Sequence, residues 1–248
     1  MIRLKSVLGL LLAAGVLTAC EESESKTLKP IEMKAETEKK EIVLYPEIED
    51  FINSLSDELD TLGDERTELL TELAEFISSE LDSNRTAKLT FICTHNSRRS
   101  HMSQIWAAVM AARFGVEQID TFSGGTEATA FNPRAVASMK RTGFRIHSEG
   151  SENPRYSVAF SADVDPLICF SKKYDDSSNP SEGFAAIMTC SDADESCPFI
   201  PGASFRIPIP YDDPKAADGT PEESIRYDER SRQIAAEMYF LFQKVSNG

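Results

Sequence analysis

The chain has 248 residues, with 41 acidic against 26 basic side chains and a formal net charge of −15. That balance excludes general nucleic-acid binding, which needs clustered Lys and Arg to neutralise phosphates. The length suffices for one sizeable domain plus appendages, and five cysteines pose a question of compartment and chemistry.

Residues 1–20 read as a targeting segment. Arg3 and Lys5 precede an apolar stretch from Val7 to Ala19 that is too short to span a bilayer comfortably. The stretch ends in Leu17-Thr18-Ala19-Cys20, which resembles the lipobox of bacterial lipoproteins. The resemblance implies lipidation of Cys20 and an exported protein anchored to a membrane at its periplasmic or cell-surface face. An ordinary signal peptide with an incidental Cys is the alternative. Residues 21–44 are rich in Glu, Lys, Ser and Thr without an apolar period, so they read as a solvated tether.

From Tyr45 the pattern changes. Ile48, Phe51, Ile52, Leu55, Leu59 and Leu62 recur at helical spacing, as do Leu69, Leu70, Leu73, Phe76, Ile77 and Leu81. Gly63 separates the two runs and Asp64 is placed to cap the second. Residues 45–84 therefore predict a helical hairpin packed on the main domain, with a partner-binding surface as the alternative.

The main domain occupies residues 88–248. Leu89 to Ile92 predicts a buried strand, Ser97 to Phe114 a helix, and Gln118 to Phe122 a second strand before a Gly124-Gly125 turn. Asn132-Pro133 opens a helix to about Thr142, with a cap and a proline at its first position. Tyr156 to Phe160 and Leu167 to Ser171 predict an inserted hairpin. Phe184 to Thr189 and Phe205 to Ile209 are further strands, and Glu222 to Val245 is the closing helix. Strands alternating with helices predict an α/β fold, an open parallel sheet of about four strands flanked by helices.

Cys93 to Ser100 read Cys-Thr-His-Asn-Ser-Arg-Arg-Ser at a strand-to-helix junction. Five residues between Cys93 and Arg99 let a short loop curl around a tetrahedral oxyanion. The thiol lies beneath it, the guanidinium clamps its side, and backbone N–H groups and the helix N-terminus point inward. Thr94, His95, Asn96, Ser97, Arg98, Arg99 and Ser100 form the candidate oxyanion-binding set. The bland reading is a buried structural Cys beside a chance Arg. A second stretch, Cys190-Ser-Asp-Ala-Asp-Glu-Ser-Cys197-Pro198, leaves the end of a core strand. It leaves three readings open: a static disulfide, half of a metal site, or a redox relay. Zinc would want further Cys or His nearby, and His95, His101 and His147 lack that spacing.

Taken together, these stretches resemble the thioredoxin-coupled arsenate reductases, which share the low-molecular-weight protein tyrosine phosphatase fold. The resemblance rests on Phe91-Ile92-Cys93-Thr94, Asn96-Ser97, Arg99-Ser100 and Ser123-Gly124-Gly125-Thr126-Glu127. It continues through Asn132-Pro133, Ala135, Met139, Cys190 to Asp194, Cys197-Pro198 and Asp212-Asp213-Pro214. It spans Lys88 to Val245 and implies Cys93 as nucleophile, Arg99 as oxyanion clamp, Ser100 as a hydrogen-bond partner of the sulfur and Asn96 as a loop-shaping residue. Asp213 would be the general acid, and Cys190 and Cys197 would relay the oxidation to a thioredoxin-like dithiol, with no bound cofactor or metal. A turn or helix cap is the plain alternative for Asp213.

Several departures bear on substrate. His95 stands where the family usually has Gly, and Arg98 where a second Cys is common. Gln104 replaces a Glu associated with a potassium site in some reductases, so that cation is not carried over. Lys215 and Ala216 follow Pro214 where the phosphatases have tyrosines facing aromatic substrates. The implied substrate is arsenate, with a phosphomonoester as the alternative, in which case Cys93 forms a phosphoenzyme that water hydrolyses. A catalytically idle, anion-sensing lipoprotein is the third reading, against which the complete Cys, Arg and Asp set argues.

Overall fold

The computed structural model describes residues 41–248. The leader at 1–20 with its Cys20, and the tether up to residue 40, lie outside the described residues. Val43 to Tyr45 already dock on the main domain. Tyr45 N–H donates to Phe160 O (2.9 Å) and Leu44, buried, bridges to Ser161.

The extension forms three helices: α1 (Pro46–Asn53), α2 (Ser56–Asp60) and α3 (Asp64–Asp82). The first arm of the expected hairpin is therefore broken. At Ser54 both the hydroxyl (2.7 Å) and the backbone N–H (3.0 Å) donate to Phe51 O, drawing that carbonyl out of the helical ladder. Asp64 is not the cap of α3. Gly63 holds that place in extended backbone, and Asp64 begins the first turn, where the helix dipole favours its carboxylate. Ile48, Ile52, Leu55, Leu70, Leu73 and Ile77 are buried in one core with Leu89, Phe91, Trp106 and Leu241. Phe51 stacks on Trp106 at 5.2 Å between centroids. The extension thus shares the core of the sheet rather than forming one of its own.

The remaining elements run β1 (Ala87–Cys93), α4 (Arg99–Arg113), β2 (Ile119–Gly125), α5 (Pro133–Arg141), β3 (Arg145–Glu149), β4 (Arg155–Ala159) and β5 (Leu167–Cys169). Then come β6 (Phe184–Met188), α6 (Ser191–Ser196), β7 (Ala203–Pro208), a 3-10 turn (Pro214–Ala217) and α7 (Glu223–Asn247). Four strands make a parallel sheet in the order β2-β1-β6-β7. β2 runs past Phe122 to Gly125, because Ser123 to Gly125 pair with Phe91 to Cys93. The inserted hairpin is a three-stranded antiparallel sheet, β3-β4-β5. β3 was illegible because only Ile146 of its five residues is buried, so no alternation shows. α6 is another element not expected, six mostly polar residues that read as loop.

Register decides where function can sit. Cys93 lies opposite Gly125 on one side of β1, and Ile92 opposite Met188 on the other. The carboxyl ends of β1, β2, β6 and β7 therefore gather at one end of the sheet, where open α/β sheets place ligands.

Candidate active site

The loop from Cys93 to Arg99 is shaped by what takes its carbonyls. Cys93 O accepts from Thr126 N–H (3.1 Å), Thr94 O from Glu127 N–H (2.8 Å), Ser97 O from Asn132 N–H (2.8 Å) and Arg98 O from Met102 N–H (3.0 Å). His95 O accepts from the hydroxyls of Thr129 (3.1 Å) and Ser171 (3.0 Å). With those carbonyls engaged from outside, none of the amides from Thr94 to Arg99 donates to another backbone group among the described residues. Such a row of free amides at the start of a 15-residue helix can cradle an oxyanion.

Gly125 makes the cradle possible. A Cβ there would lie 2.3 Å from Glu127 O, 2.7 Å from Asn96 N and 2.8 Å from Thr94 O. Asn96 turns the loop at φ 43°, left-handed backbone that Asn tolerates better than most residues. Its buried side chain accepts from Lys172 N–H (2.9 Å) and donates to Ser100 Oγ (2.9 Å). Ser100 Oγ lies 3.1 Å from Cys93 Sγ. Since Asn96 fills an acceptor site of that hydroxyl, its hydrogen is free to point at the sulfur.

Arg99 is buried, and each terminal nitrogen of its fork makes one hydrogen bond. Nη1 donates to Tyr211 O (2.9 Å) and Nη2 to Asp213 Oδ2 (2.8 Å). The other carboxylate oxygen of Asp213 accepts from Lys215 N–H (3.0 Å), capping the 3-10 turn. The capping contact and proximity to the clamp thus coexist in one residue. Arg98 turns aside, donating to Tyr227 Oη (2.8 Å), with Asp218 at 3.6 Å and Asp213 at 3.8 Å. Ser97 Oγ donates to Ala130 O (2.8 Å), and the half-exposed imidazole of His95 lies 3.8 Å from Glu127. The side chains of His95, Ser97 and Arg98 therefore line or brace the loop.

The second thiol is close. Cys190, fully buried at the end of β6, has Sγ 3.5 Å from Thr94 Oγ1. Cys197, half-buried, lies across α6 from it, and Cys93, Cys169, Cys190 and Cys197 are all free thiols. Cys169 stands apart chemically, because burial pushes its thiol up to about 12 and keeps it protonated at neutral pH.

Some contributors were not legible in the sequence. Ser171 and Lys172, delivered by the strand pair behind the loop, touch His95 and Asn96 across 76 positions. Tyr227 in α7 binds both Arg98 and Asp218, and burial pushes its phenol up to about 12. His101, wholly buried, faces Ser123 Oγ at 3.2 Å, and burial with the nearby Lys172 charge holds its imidazole down at about 3. Gln104 turns its amide nitrogen to Thr121 O (3.0 Å).

A family model described as low molecular weight phosphotyrosine protein phosphatase matches residues 88–178. An arsenate reductase of Bacillus subtilis is 30% identical over 142 residues, 57% of this chain and 84% of that protein. The chain belongs to this phosphatase and arsenate reductase family. An arsenate reductase of Bacillus licheniformis is 29% identical over 147 residues, covering 59% of this chain and 88% of the relative. Among solved structures, a low molecular weight protein tyrosine phosphatase from T. tengcongensis aligns over 64% of this chain and 99% of its own at 16% identity, with a TM-score of 0.44. Membership makes the protein an enzyme of arsenate reduction or phosphate ester hydrolysis.

Proposed function

We propose that the protein is a thiol-dependent arsenate reductase with a three-cysteine relay. The observation that carries this reading is the buried Cys190 thiol set 3.5 Å from Thr94 of the anion loop, with Cys197 just across a six-residue helix. Hydrolysis alone has no use for a second thiol there.

In the proposed sequence Cys93 thiolate attacks arsenic(V) held by the loop amides and Arg99, and Asp213 protonates the departing oxygen as water. Cys190 thiolate then attacks Cys93 Sγ. The Cys93 sulfur–arsenic bond breaks with its electron pair going to arsenic, which leaves as arsenite, and a Cys93–Cys190 disulfide forms. Two thiolates have lost two electrons and arsenic has gained two. Cys197 next attacks Cys190, freeing Cys93, and a thioredoxin-like dithiol reduces the Cys190–Cys197 disulfide. The third step needs Cys197 within bonding distance of Cys190, and so short a helix as α6 has little intrinsic stability to lose in adapting.

The rival is a phosphomonoesterase working through a Cys93 phosphoenzyme, with Cys190 and Cys197 structural or regulatory. The lipoprotein-type leader favours it, because an anchored, exported protein stands away from the cytoplasmic reductant. One experiment separates them: purified protein given arsenate plus a dithiol donor, beside an aryl phosphate. Under the reductase reading, Cys190→Ser and Cys197→Ser each stop multiple-turnover arsenite release and spare ester hydrolysis. Cys197→Ser should accumulate a Cys93–Cys190 disulfide, readable by peptide mass mapping. If wild-type protein hydrolyses the ester but releases no arsenite with any dithiol, the phosphatase reading replaces it.

A further inference from the structure

The segment from Ile209 to Asp213 carries the proposed acid from the end of β7 to the clamp. Two of its residues stay bonded to the segment that leaves β6, with Ile209 N–H donating to Met188 O (2.9 Å) and Tyr211 N–H to Thr189 O (3.1 Å). Pro210 between them has no N–H to give, and its carbonyl accepts from Arg66 Nη2 of α3 at 2.6 Å. Among the described residues this is the one side-chain hydrogen bond from the extension to residues 209–213. The guanidinium also lies 5.3 Å above the Tyr211 ring, and its Nε is 3.5 Å from the buried Glu237 of α7. The next carbonyl, Tyr211 O, is taken by Arg99. Two arginines, one from the extension and one from the anion loop, thus grip successive carbonyls just ahead of Asp213.

We infer that Arg66 is a positioning residue for the acid loop, through which the N-terminal extension sets where Asp213 stands relative to Arg99 and bound oxyanion. α3 precedes residue 88, where the match to the family model begins. A planar fork that bonds one carbonyl, faces a buried carboxyl and covers an aromatic ring is locked in direction as a lysine would not be. Releasing it costs no group that touches substrate, yet a shift on the order of 1 Å in a catalytic group can lower a rate by up to about 10²-fold. The inference rests on Asp213 acting as the general acid.

The test reads loop and chemistry separately. Arg66→Met keeps the aliphatic stem and removes the fork, and Arg66→Lys keeps one donor. Backbone amide exchange over residues 209–218 should quicken in Arg66→Met and less in Arg66→Lys. It should stay at the wild-type rate in Arg85→Ala, which removes an exposed ion pair with Glu80 beyond the far end of α3. Hydrolysis of phenyl phosphate, whose leaving group needs a proton, should fall about 10-fold in Arg66→Met. Hydrolysis of 4-nitrophenyl phosphate, whose leaving group departs unprotonated, should change less than about 3-fold. Equal losses on both esters, or unchanged exchange over 209–218, would overturn the inference. Should Arg66→Met fail to fold, Arg66→Lys carries the same comparison. If the wild type hydrolyses neither ester nor reduces arsenate, the functional reading fails by itself, and the exchange arm still decides whether α3 holds the loop.

Discussion

His101 supplies a stability prediction whose size follows from its surroundings. It is wholly buried in α4, stacked on Phe131 at 4.2 Å, with Nδ1 facing Ser123 Oγ and the Lys172 charge nearby. Burial first and Lys172 second hold its folded-state pKa at about 3, against an ordinary 6.5. The sign follows from proton binding. Below 6.5 the unfolded chain takes up a proton that the folded protein refuses until about 3, so stability is present above 6.5 and lost as pH falls. Between pH 7 and pH 5 this one residue should remove about 2 kcal/mol, at roughly 1.4 kcal/mol per pH unit once titration is under way. The perturbation is His101→Asn, which keeps a polar partner for Ser123 and does not titrate. Urea unfolding of both proteins at pH 7, 6 and 5 cancels the carboxylates they share, leaving the imidazole as the difference. The wild type should lose about 2 kcal/mol more than the variant across that range. Parallel pH profiles, or a wild type that gains on acidification relative to the variant, would show that His101 takes up a proton in place and refute the reasoning.

Other expectations concern the site itself. Cys93→Ser should abolish both arsenite release and ester hydrolysis, because a serine hydroxyl does not replace a thiolate nucleophile, and substantial remaining turnover would end the catalytic reading of the loop. Asp213→Asn should lower the rate on an ester with a poor leaving group by about 10²–10⁴-fold while the 3-10 turn keeps its cap through the amide oxygen. An unchanged rate in that assay would leave Asp213 as a cap alone. Gly125→Ala should cost about 1–3 kcal/mol in urea unfolding and weaken phosphate binding measured by calorimetry, since its new methyl meets only backbone atoms of the cradle. Wild-type affinity in that variant would mean the loop tolerates the shift.

α3 lies along α7 and its Phe76 stacks on Phe205 of β7 at 4.9 Å, so the extension packs on both the closing helix and the strand that leads into the acid loop. The anion loop is held instead from the other side, by β2, α5 and the residues after β5.

Sequence alone determined the parts of this protein that short-range chemistry dictates. An apolar run up to Ile92 and a helical period after Arg99 predict a strand, a turn and a helix from local pattern alone. Asn132 with Pro133 likewise starts a helix by itself, and the side chain does accept from Arg134 N–H at 2.9 Å. Alternating strands and helices also sufficed for the α/β class and the four-stranded parallel sheet. Tertiary structure decided the rest: that Arg99 meets Tyr211 O across 112 positions, Arg98 meets Tyr227 across 129, and Arg66 meets Pro210 across 144. No local pattern encodes such pairs, because a polar side chain reads the same whether it ends in solvent or against a distant carbonyl. Only the strand order β2-β1-β6-β7 brings those carbonyls to one end of the sheet, and only packing of α3 and α7 against it selects which arginine reaches them.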